Sequence, residues 1–308
     1  MVDILLATYN GEKFLKEQID SIINQSFNDW TLYIRDDGSK DTTLSIIKEY
    51  KLKYPKKIVL INDTKKSLGV KLNFLELIKY SKSKYCMFCD QDDVWDSNKV
   101  ALTLDEMRRI EEECNQDVPI LVHTNLRVVD ANLKVISESF WKYSKIDARR
   151  NKLNNLLIKN TITGCTMMIN SSLRKLIFNL PDGCIMHDWW IGILASCFGK
   201  MGVVYEPTIS YRQHGNNEIG AISYTLIDRI KSKVGNPKSL IENFELEVIQ
   251  AREILKIYQQ DLNEDSIKII KEFVNLKKSN FLLRRYKILK NGFLSDDIIK
   301  NIKILIFI

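Results

Sequence analysis

The feature that most constrains the fold is a repeated alternation of strand-like and helix-like segments over residues 1–90. Short apolar runs occur at residues 2–8, 30–35, 58–62 and 85–89. The segments between them, such as 12–25, carry apolar residues at the three-to-four-residue spacing of a helix. Repeated βα units predict a parallel sheet that is covered by helices on both faces. The predicted fold class is therefore α/β.

Polar clusters follow three of these strands directly. They are Thr8-Tyr9-Asn10, Asp36-Asp37 and Asp90-Gln91-Asp92-Asp93. In open α/β sheets the ligand crevice lies beyond the carboxyl ends of the strands. The sequence thus predicts that the three clusters contribute to one site at one edge of the sheet.

The acidic cluster at residues 90–93 places three carboxylates within four residues, and no lysine or arginine occurs between Lys84 and Lys99. A divalent cation would neutralise this charge, and carboxylate oxygens suit Mg²⁺ or Mn²⁺. Such an ion could bridge a diphosphate and stabilise it as a leaving group. The alternative is a solvated acidic turn before the next helix, with Asp96 or Ser97 as the N-cap.

Composition narrows the class of protein. The 308 residues are 45% hydrophobic and 28% charged, which is typical of a globular chain with a full apolar core. The net charge of +7 is concentrated in the tail, so a nucleic-acid partner is not expected. Scattered cysteines predict a reducing, cytoplasmic location, and no run reaches the roughly 20 apolar residues that span a bilayer.

The later part of the chain is predicted to change character. Helical spacing dominates from about Tyr224, after a less regular middle region. We therefore expect an α/β domain over residues 1–222 and a helical C-terminal extension over residues 223–308.

Three motifs in order, Ala7-Thr8-Tyr9-Asn10-Gly11, residues 35–41 (RDDGSKD) and Asp90-Gln91-Asp92-Asp93, resemble the signatures of family 2 glycosyltransferases. The resemblance covers roughly residues 1–220 and implies the GT-A fold, a nucleotide-sugar donor and a Mn²⁺ or Mg²⁺ ion. Asp92 and Asp90 would bind the metal. The residues that would bind the donor are Thr8, Tyr9, Asn10, Asp36, Asp37, Asn73, Asp90, Gln91 and Arg212.

The pair His187-Asp188 stands where the family usually has a Glu-Asp pair that contains the catalytic base. The resemblance therefore assigns that role to Asp188, because inverting transfer needs a carboxylate to accept the proton of the attacking hydroxyl. The alternative is an N-cap of the following helix. Trp189, Trp190 and Gly164 are the predicted acceptor-binding residues. One of the two tryptophans is expected to stack on a sugar and the other to lie in the core.

The segment Tyr211-Arg212-Gln213-His214-Gly215 resembles a late family motif in which a histidine completes the metal site. It assigns His214 to the metal, since imidazole is a suitable ligand for Mn²⁺. Arg212 would meet the pyrophosphate, because the guanidinium group matches phosphate geometry.

The tail combines eight lysines or arginines and two aspartates with apolar residues between Lys277 and Ile308. A basic amphipathic segment of this kind suits the anionic inner face of a membrane. The alternative is a helical pair that packs on the catalytic domain.

Within the family, the motifs at 90–95 and 187–190 look most like those of bacterial rhamnosyltransferases of cell-wall or capsular polysaccharide. This implies dTDP-L-rhamnose as donor and a lipid-linked glycan as acceptor. A UDP-hexose donor is the alternative, and a non-catalytic scaffold that binds nucleotide sugars is a more distant one.

Overall fold

The computed structural model describes residues 1–114, 117–178, 180–214 and 237–308. The strands are β1 (Val2–Thr8), β2 (Trp30–Asp36), β3 (Ile58–Leu60), β4 (Tyr85–Cys89), β5 (Val94–Trp95), β6 (Ile120–Val129), β7 (Val135–Ser137), β8 (Met167–Asn170) and β9 (Lys200–Arg212). The α-helices are α1 (Leu15–Ile23), α2 (Thr43–Lys53), α3 (Gly69–Tyr80), α4 (Lys99–Glu113), α5 (Phe140–Tyr143), α6 (Leu153–Leu156), α7 (Ser171–Leu176), α8 (His187–Phe198), α9 (Pro237–Tyr258), α10 (Glu264–Val274), α11 (Phe281–Asn291) and α12 (Ile298–Phe307).

All of these strands belong to one mixed sheet. Its order is β3-β2-β1-β4-β8-β6-β9-β5, with β7 paired to β6. The pairs β3-β2, β2-β1 and β1-β4 are parallel, as predicted from the βα repeats. The second half departs from the predicted parallel sheet, because β8 lies antiparallel to both β4 and β6. Apolar periodicity locates a strand but does not record its direction, which depends on where the connecting chain re-enters the sheet.

Side-chain alternation along β1 divides the core into two layers. Ile4 and Leu6 pack against α1, α2 and α4, while Leu5 packs on the opposite face against α3 and α8. Successive side chains of a strand point to opposite faces, so a buried sheet needs an apolar residue at every position. This accounts for the apolar character of β4 and of most of β1, in which the buried Asp3 carboxylate accepts hydrogen bonds from Ser81 and Ser83.

The C-terminal helices extend the layer that contains α8. The ring centroid of Phe273 lies 5.4 Å from that of Phe244 and 5.2 Å from that of Phe293. These three rings belong to the same apolar cluster as Trp190 of α8. Local signals start and stop these helices: Asn263, Asn280 and Asp297 are N-caps whose side chains accept backbone N–H groups, and Gly292 ends α11 with φ 64°. The predicted boundary at 222/223 lies outside the described residues.

In the part of the chain that the structure describes, no helix is both long and apolar enough to cross a membrane.

Candidate active site

A cavity of about 790 Å³ opens at the carboxyl ends of β1, β2 and β4, where the sequence predicted the site. The start of α3, the loop 159–164 and the start of α8 complete its wall. Ten residues assigned from the sequence lie in this wall: Thr8, Tyr9, Asp37, Asn73, Asp90, Gln91, Asp92, Gly164, Asp188 and Trp189. The other assigned residues, Asn10, Asp36, Trp190, Arg212 and His214, are not among the residues that line it.

Asp36 and Asn10 hold the turns around the cavity instead of lining it. The Asp36 carboxylate accepts the Thr8 hydroxyl at 3.0 Å and the backbone N–H groups of Gly38 and Ser39 at 3.1 and 2.8 Å. Asn10, at φ 47°, donates its backbone N–H to the Ser39 hydroxyl and accepts the Lys40 N–H. The direct donor contacts expected of Asp36 and Asn10 are therefore not supported. Short polar side chains after a strand readily satisfy backbone groups of their own turn.

Asp37 and Asn73 are positioned by the buried Arg35, to which the sequence motifs assigned no role. The Arg35 guanidinium donates to the Asp37 carboxylate at 3.0 Å, to the Asp63 carboxylate at 2.8 Å and to the side-chain oxygen of Asn73 at 2.9 Å. The second Asp37 oxygen accepts the Gly69 N–H at 2.8 Å. Hydrogen bonding from Arg35 holds the pKa of Asp63 below its usual range, so the Asp63 carboxylate stays ionised beside the buried cation. This network fixes the wall of the cavity on the β2 side.

Gln91 clamps β4 to the turn after β1. Its side chain accepts the Tyr9 backbone N–H and donates to the Tyr9 carbonyl, both at 2.9 Å. Gly11 lies so close to this amide that a Cβ there would come within 2.3 Å of the Gln91 oxygen. Gln91 therefore aligns two strand ends, and Tyr9, half exposed at the rim, is left available to a ligand.

The acidic cluster contains residues that fit a divalent cation. Asp90 and Asp92 line the cavity, and the Asp92 Oδ2 lies 2.8 Å from the His214 Nε2. Two carboxylates and an imidazole supply the hard oxygen and nitrogen donors that Mn²⁺ or Mg²⁺ accepts. The predicted metal-binding residues Asp92 and His214 are thus brought together, although they are 122 positions apart in the chain.

Asp93 and Cys165 form a second, inner group with Asp90, with potential ligand atoms within 4.8 Å of one another. Burial, followed by the charges of Asp92 and Asp90, holds the pKa of Asp93 well above its usual range. Burial also raises the pKa of the Cys165 thiol, whereas metal binding needs the thiolate. Asp90 and Asp92 line the cavity and His214 contacts Asp92 behind them, so these three residues would hold a cation next to a ligand in the cavity.

Arg212 does not face the cavity, which corrects the prediction that it meets a pyrophosphate. Its side chain is buried and donates to the backbone carbonyls of Asp92 and Ala131 at 2.8 and 2.6 Å. It also forms an ion pair with Glu17 and lies 4.4 Å over the Phe14 ring. Arg212 therefore stabilises the backbone of the acidic cluster from the side that faces away from the cavity. A sequence motif identifies the residue but not the direction of its side chain.

Asp188 lies in the first turn of α8 and is 8% exposed. Burial raises the pKa of its carboxyl group to about 6, while hydrogen bonds from the Trp189 N–H, the Asn160 side chain and the Gly164 N–H oppose that rise. The N-cap position belongs to Met186, so the capping alternative for Asp188 is not supported. A carboxyl group with a pKa near neutrality is suited to accept a proton.

Of the two tryptophans after Asp188, one lies in the cavity wall and the other in the core, as expected. Trp189 lines the cavity, and its indole N–H donates to the Leu156 carbonyl. Trp190 is 0% exposed and packs toward Tyr258 in the core, so it is not an acceptor-binding residue. Trp190 points about 100° away from Trp189 around the helix, and this direction carries its ring into the core.

Two cavity residues next to Asp188 had no role assigned from the sequence. Asn160 lies in an irregular loop without a recognisable motif, and it contacts the Asp188 carboxylate. The His187 ring lies 4.4 Å from the Phe74 ring, and burial lowers its pKa to about 3, so it is neutral. Within the described ranges neither ring nitrogen of His187 has a hydrogen-bond partner. The one indication in the sequence that His187 lies in the cavity was its position directly before Asp188.

The sequence matches a known family and a named relative. Residues 3–177 match the family model "Glycosyl transferase family 2". The protein named dTDP-rhamnosyl transferase RfbG of Shigella flexneri is 32% identical over 228 residues, which are 70% of this chain and 74% of that protein.

Solved structures share the fold at low sequence identity. S. aureus TarS 1-349 in complex with UDP-GlcNAc has a TM-score of 0.58 and 19% identity, covering 95% of this chain and 74% of that chain. The mannosyltransferase PcManGT from Pyrobaculum calidifontis in complex with GDP-Man and Mn²⁺ has a TM-score of 0.55 and 14% identity, covering 94% and 72%. Because the family match spans more than half of the sequence, the chain belongs to glycosyl transferase family 2, and its fold is of the GT-A type.

Proposed function

We propose that the protein is an inverting, metal-dependent glycosyltransferase that moves L-rhamnose from dTDP-L-rhamnose to a hydroxyl of a lipid-linked glycan in bacterial polysaccharide synthesis. The observation that carries the proposal is the presence of Asp188 in the same cavity as Asp90 and Asp92. A proton acceptor and an acidic, cation-suited cluster are the two groups that transfer from a nucleotide diphosphate requires.

Each part of the cavity has a role in this reaction. Tyr9, Asp37 and Asn73 border the pocket for the base and ribose, on the wall fixed by Arg35. Asp90, Asp92 and His214 would hold a divalent cation, which neutralises charge on the departing diphosphate. Asp188 accepts the proton of the acceptor hydroxyl as the oxygen attacks the anomeric carbon. Trp189 gives the acceptor sugar an apolar contact at the rim.

The choice of donor rests on relatives. The 32% identity to a dTDP-rhamnosyl transferase supports dTDP-L-rhamnose. A UDP-hexose is the second candidate; the UDP-GlcNAc complex of TarS, at 19% identity, bears on the fold alone. Fold and cation site do not select the sugar.

Release of nucleotide is the direct test. The protein is incubated with dTDP-rhamnose, UDP-glucose, UDP-galactose or UDP-N-acetylglucosamine and bacterial membrane lipid extract, with Mn²⁺, Mg²⁺ or EDTA. We expect release of dTDP from dTDP-rhamnose that EDTA abolishes, because the acidic cluster cannot bind the diphosphate without a cation. Release from a UDP-sugar would replace the donor assignment. Release from none, together with no nucleotide binding, would favour the non-catalytic scaffold.

We also propose that the tail contacts the anionic inner face of the cell membrane. Large apolar side chains on α11 and α12 are exposed, including Leu282 at 79% and Ile298 at 73%. Basic groups lie beside them: the Arg285 guanidinium is 3.6 Å from the Phe281 ring centroid. The opposite sides of both helices pack on the domain through Ile288 and Ile304. Thus one side of the helix pair packs inward, and the other side has the composition of a membrane-surface segment.

Sedimentation with vesicles checks the membrane contact. We expect the protein to bind phosphatidylglycerol vesicles and not phosphatidylcholine vesicles, and added salt should weaken binding because it screens the charges. Leu282→Ser combined with Ile298→Ser should lower the partition constant at least about tenfold, because two apolar insertions are lost. Leu52→Ser, at a site 82% exposed on α2, is the matched control and should bind normally. Equal binding of both variants would contradict this docking surface.

A further inference from the structure

A second, smaller cleft opens beside the active-site cavity. Its volume is about 280 Å³, and its wall combines the start of α8 with α9 and α12 of the C-terminal part. Lys159, Asn160, Ile185 and Trp189 line both this cleft and the main cavity. The cleft is therefore a side extension that adjoins the cavity next to Asp188, whose carboxylate contacts Asn160.

The cleft is lined by side chains of the kinds that can bind a sugar. Asn243 offers an amide, Glu247 offers a carboxylate, and Trp189 and Phe244 offer aromatic surface. Polar groups that fix orientation and apolar surface that receives a ring are the usual pair of features in a small-ligand pocket. A volume of about 280 Å³ is small for a nucleotide and fits one sugar unit of a chain that continues into the main cavity.

The charges in the cleft argue against a phosphate ligand. Lys300 lies 3.3 Å from the buried Glu247 carboxylate and donates to the Ile158 carbonyl at 2.7 Å. Lys159 forms an ion pair with Asp296. Both lysines thus face a carboxylate within the protein, and an added dianion would have to compete with it.

We infer that this cleft binds the sugar unit adjacent to the acceptor sugar, so that the enzyme recognises a glycan at least two units long. The inference rests on the proposed glycosyltransferase function and deepens it. The C-terminal helices then contribute to acceptor recognition, because α9 and α12 supply the outer wall of the cleft.

A bulky side chain in the cleft tests the inference. Asn243 is exposed at the cleft mouth, so Asn243→Trp fills the space without disturbing the core. Two activities are measured: nucleotide release without glycan, and sugar transfer to lipid-linked glycans extracted from bacterial membranes. We expect the variant to keep nucleotide release within about twofold and to lose transfer at least about tenfold, because an overfilled cleft excludes the second sugar.

The matched control is Glu242→Trp, at an exposed neighbouring position of α9 that does not line the cleft. It should equal the unsubstituted protein in both activities. Glu247→Gln keeps the side-chain size and should raise the KM for the glycan extract while the KM for the donor is unchanged. Normal transfer by Asn243→Trp would overturn the cleft assignment alone. Failure of the unsubstituted protein to release nucleotide from any donor would overturn the proposed function and the cleft with it.

Discussion

Asp188→Asn is expected to lower kcat for sugar transfer by about 10³-fold, within the range that general-base catalysis contributes. The substitution keeps the shape of the side chain and its contact with the Trp189 N–H, but the amide cannot accept a proton. Donor affinity, measured by nucleotide-sugar binding, should change little, because Asp188 lies on the α8 side of the cavity and not on the Arg35-fixed wall. Transfer at the unsubstituted rate would remove Asp188 from the role of base.

The pH dependence of sugar transfer is an independent test of Asp188 as the base. Burial raises the pKa of Asp188 to about 6, and the base form is the ionised form. Transfer should therefore fall as the pH drops through about 6, and Asp188→Asn should lack this limb of the profile. Asp182→Asn is the control, since Asp182 is an exposed carboxylate six positions earlier and outside the cavity.

The melting temperature of Asp188→Asn shows whether a loss of transfer comes from lost catalysis or from a lost fold. The folded-state pKa of about 6 lies above the ordinary value of 3.8, so burial penalises the charged form. That penalty is absent at low pH, develops as the pH rises above 3.8 and is complete above about 6. Asparagine carries no charge, and Asp188→Asn should therefore melt at the same temperature as the unsubstituted protein, or higher, at pH 7.

The parallel half of the sheet and its binding edge followed from the sequence because both depend on local patterns. Apolar runs identify strands such as β1 and β4, and the chain direction places Thr8 and Asp90 at one edge. The antiparallel insertion of β8 was missed, since strand order depends on long-range pairing that a local pattern does not contain.

The placement of residues around the cavity was predictable from their positions in the chain, whereas the directions of their side chains were not. Asp92, Asp188 and Trp189 follow strands or begin a helix, and they lie in the cavity wall. Arg212 and Asp36 also have the right positions, but their side chains are engaged by neighbouring backbone groups. Neighbouring backbone groups can use the hydrogen-bonding capacity of a polar side chain, and the three-dimensional structure of the turns is needed to identify them.

The second large effect is expected for Asp92→Ala, which should weaken Mn²⁺ binding at least about 100-fold, more than the loss of a supporting group does. The substitution removes a carboxylate from the Asp90, Asp92 and His214 group and leaves His214 without its 2.8 Å partner. Donor binding that depends on the cation should be lost with it, and transfer should fall to background. Titration with Mn²⁺, followed by its electron paramagnetic resonance signal, measures the binding without any substrate.

Asp105→Ala is the matched control for Asp92→Ala, because Asp105 is an exposed carboxylate on α4 and its removal changes the net charge equally. It should bind Mn²⁺ like the unsubstituted protein. The fold of Asp92→Ala should persist, since Arg212 holds this segment through the Asp92 backbone carbonyl and not through its side chain. The two active-site variants then fail differently: Asp92→Ala loses the cation and the donor together, whereas Asp188→Asn binds both and does not transfer. Unchanged Mn²⁺ binding by Asp92→Ala would place the cation elsewhere, with the inner Asp90, Asp93 and Cys165 group as the next site to test.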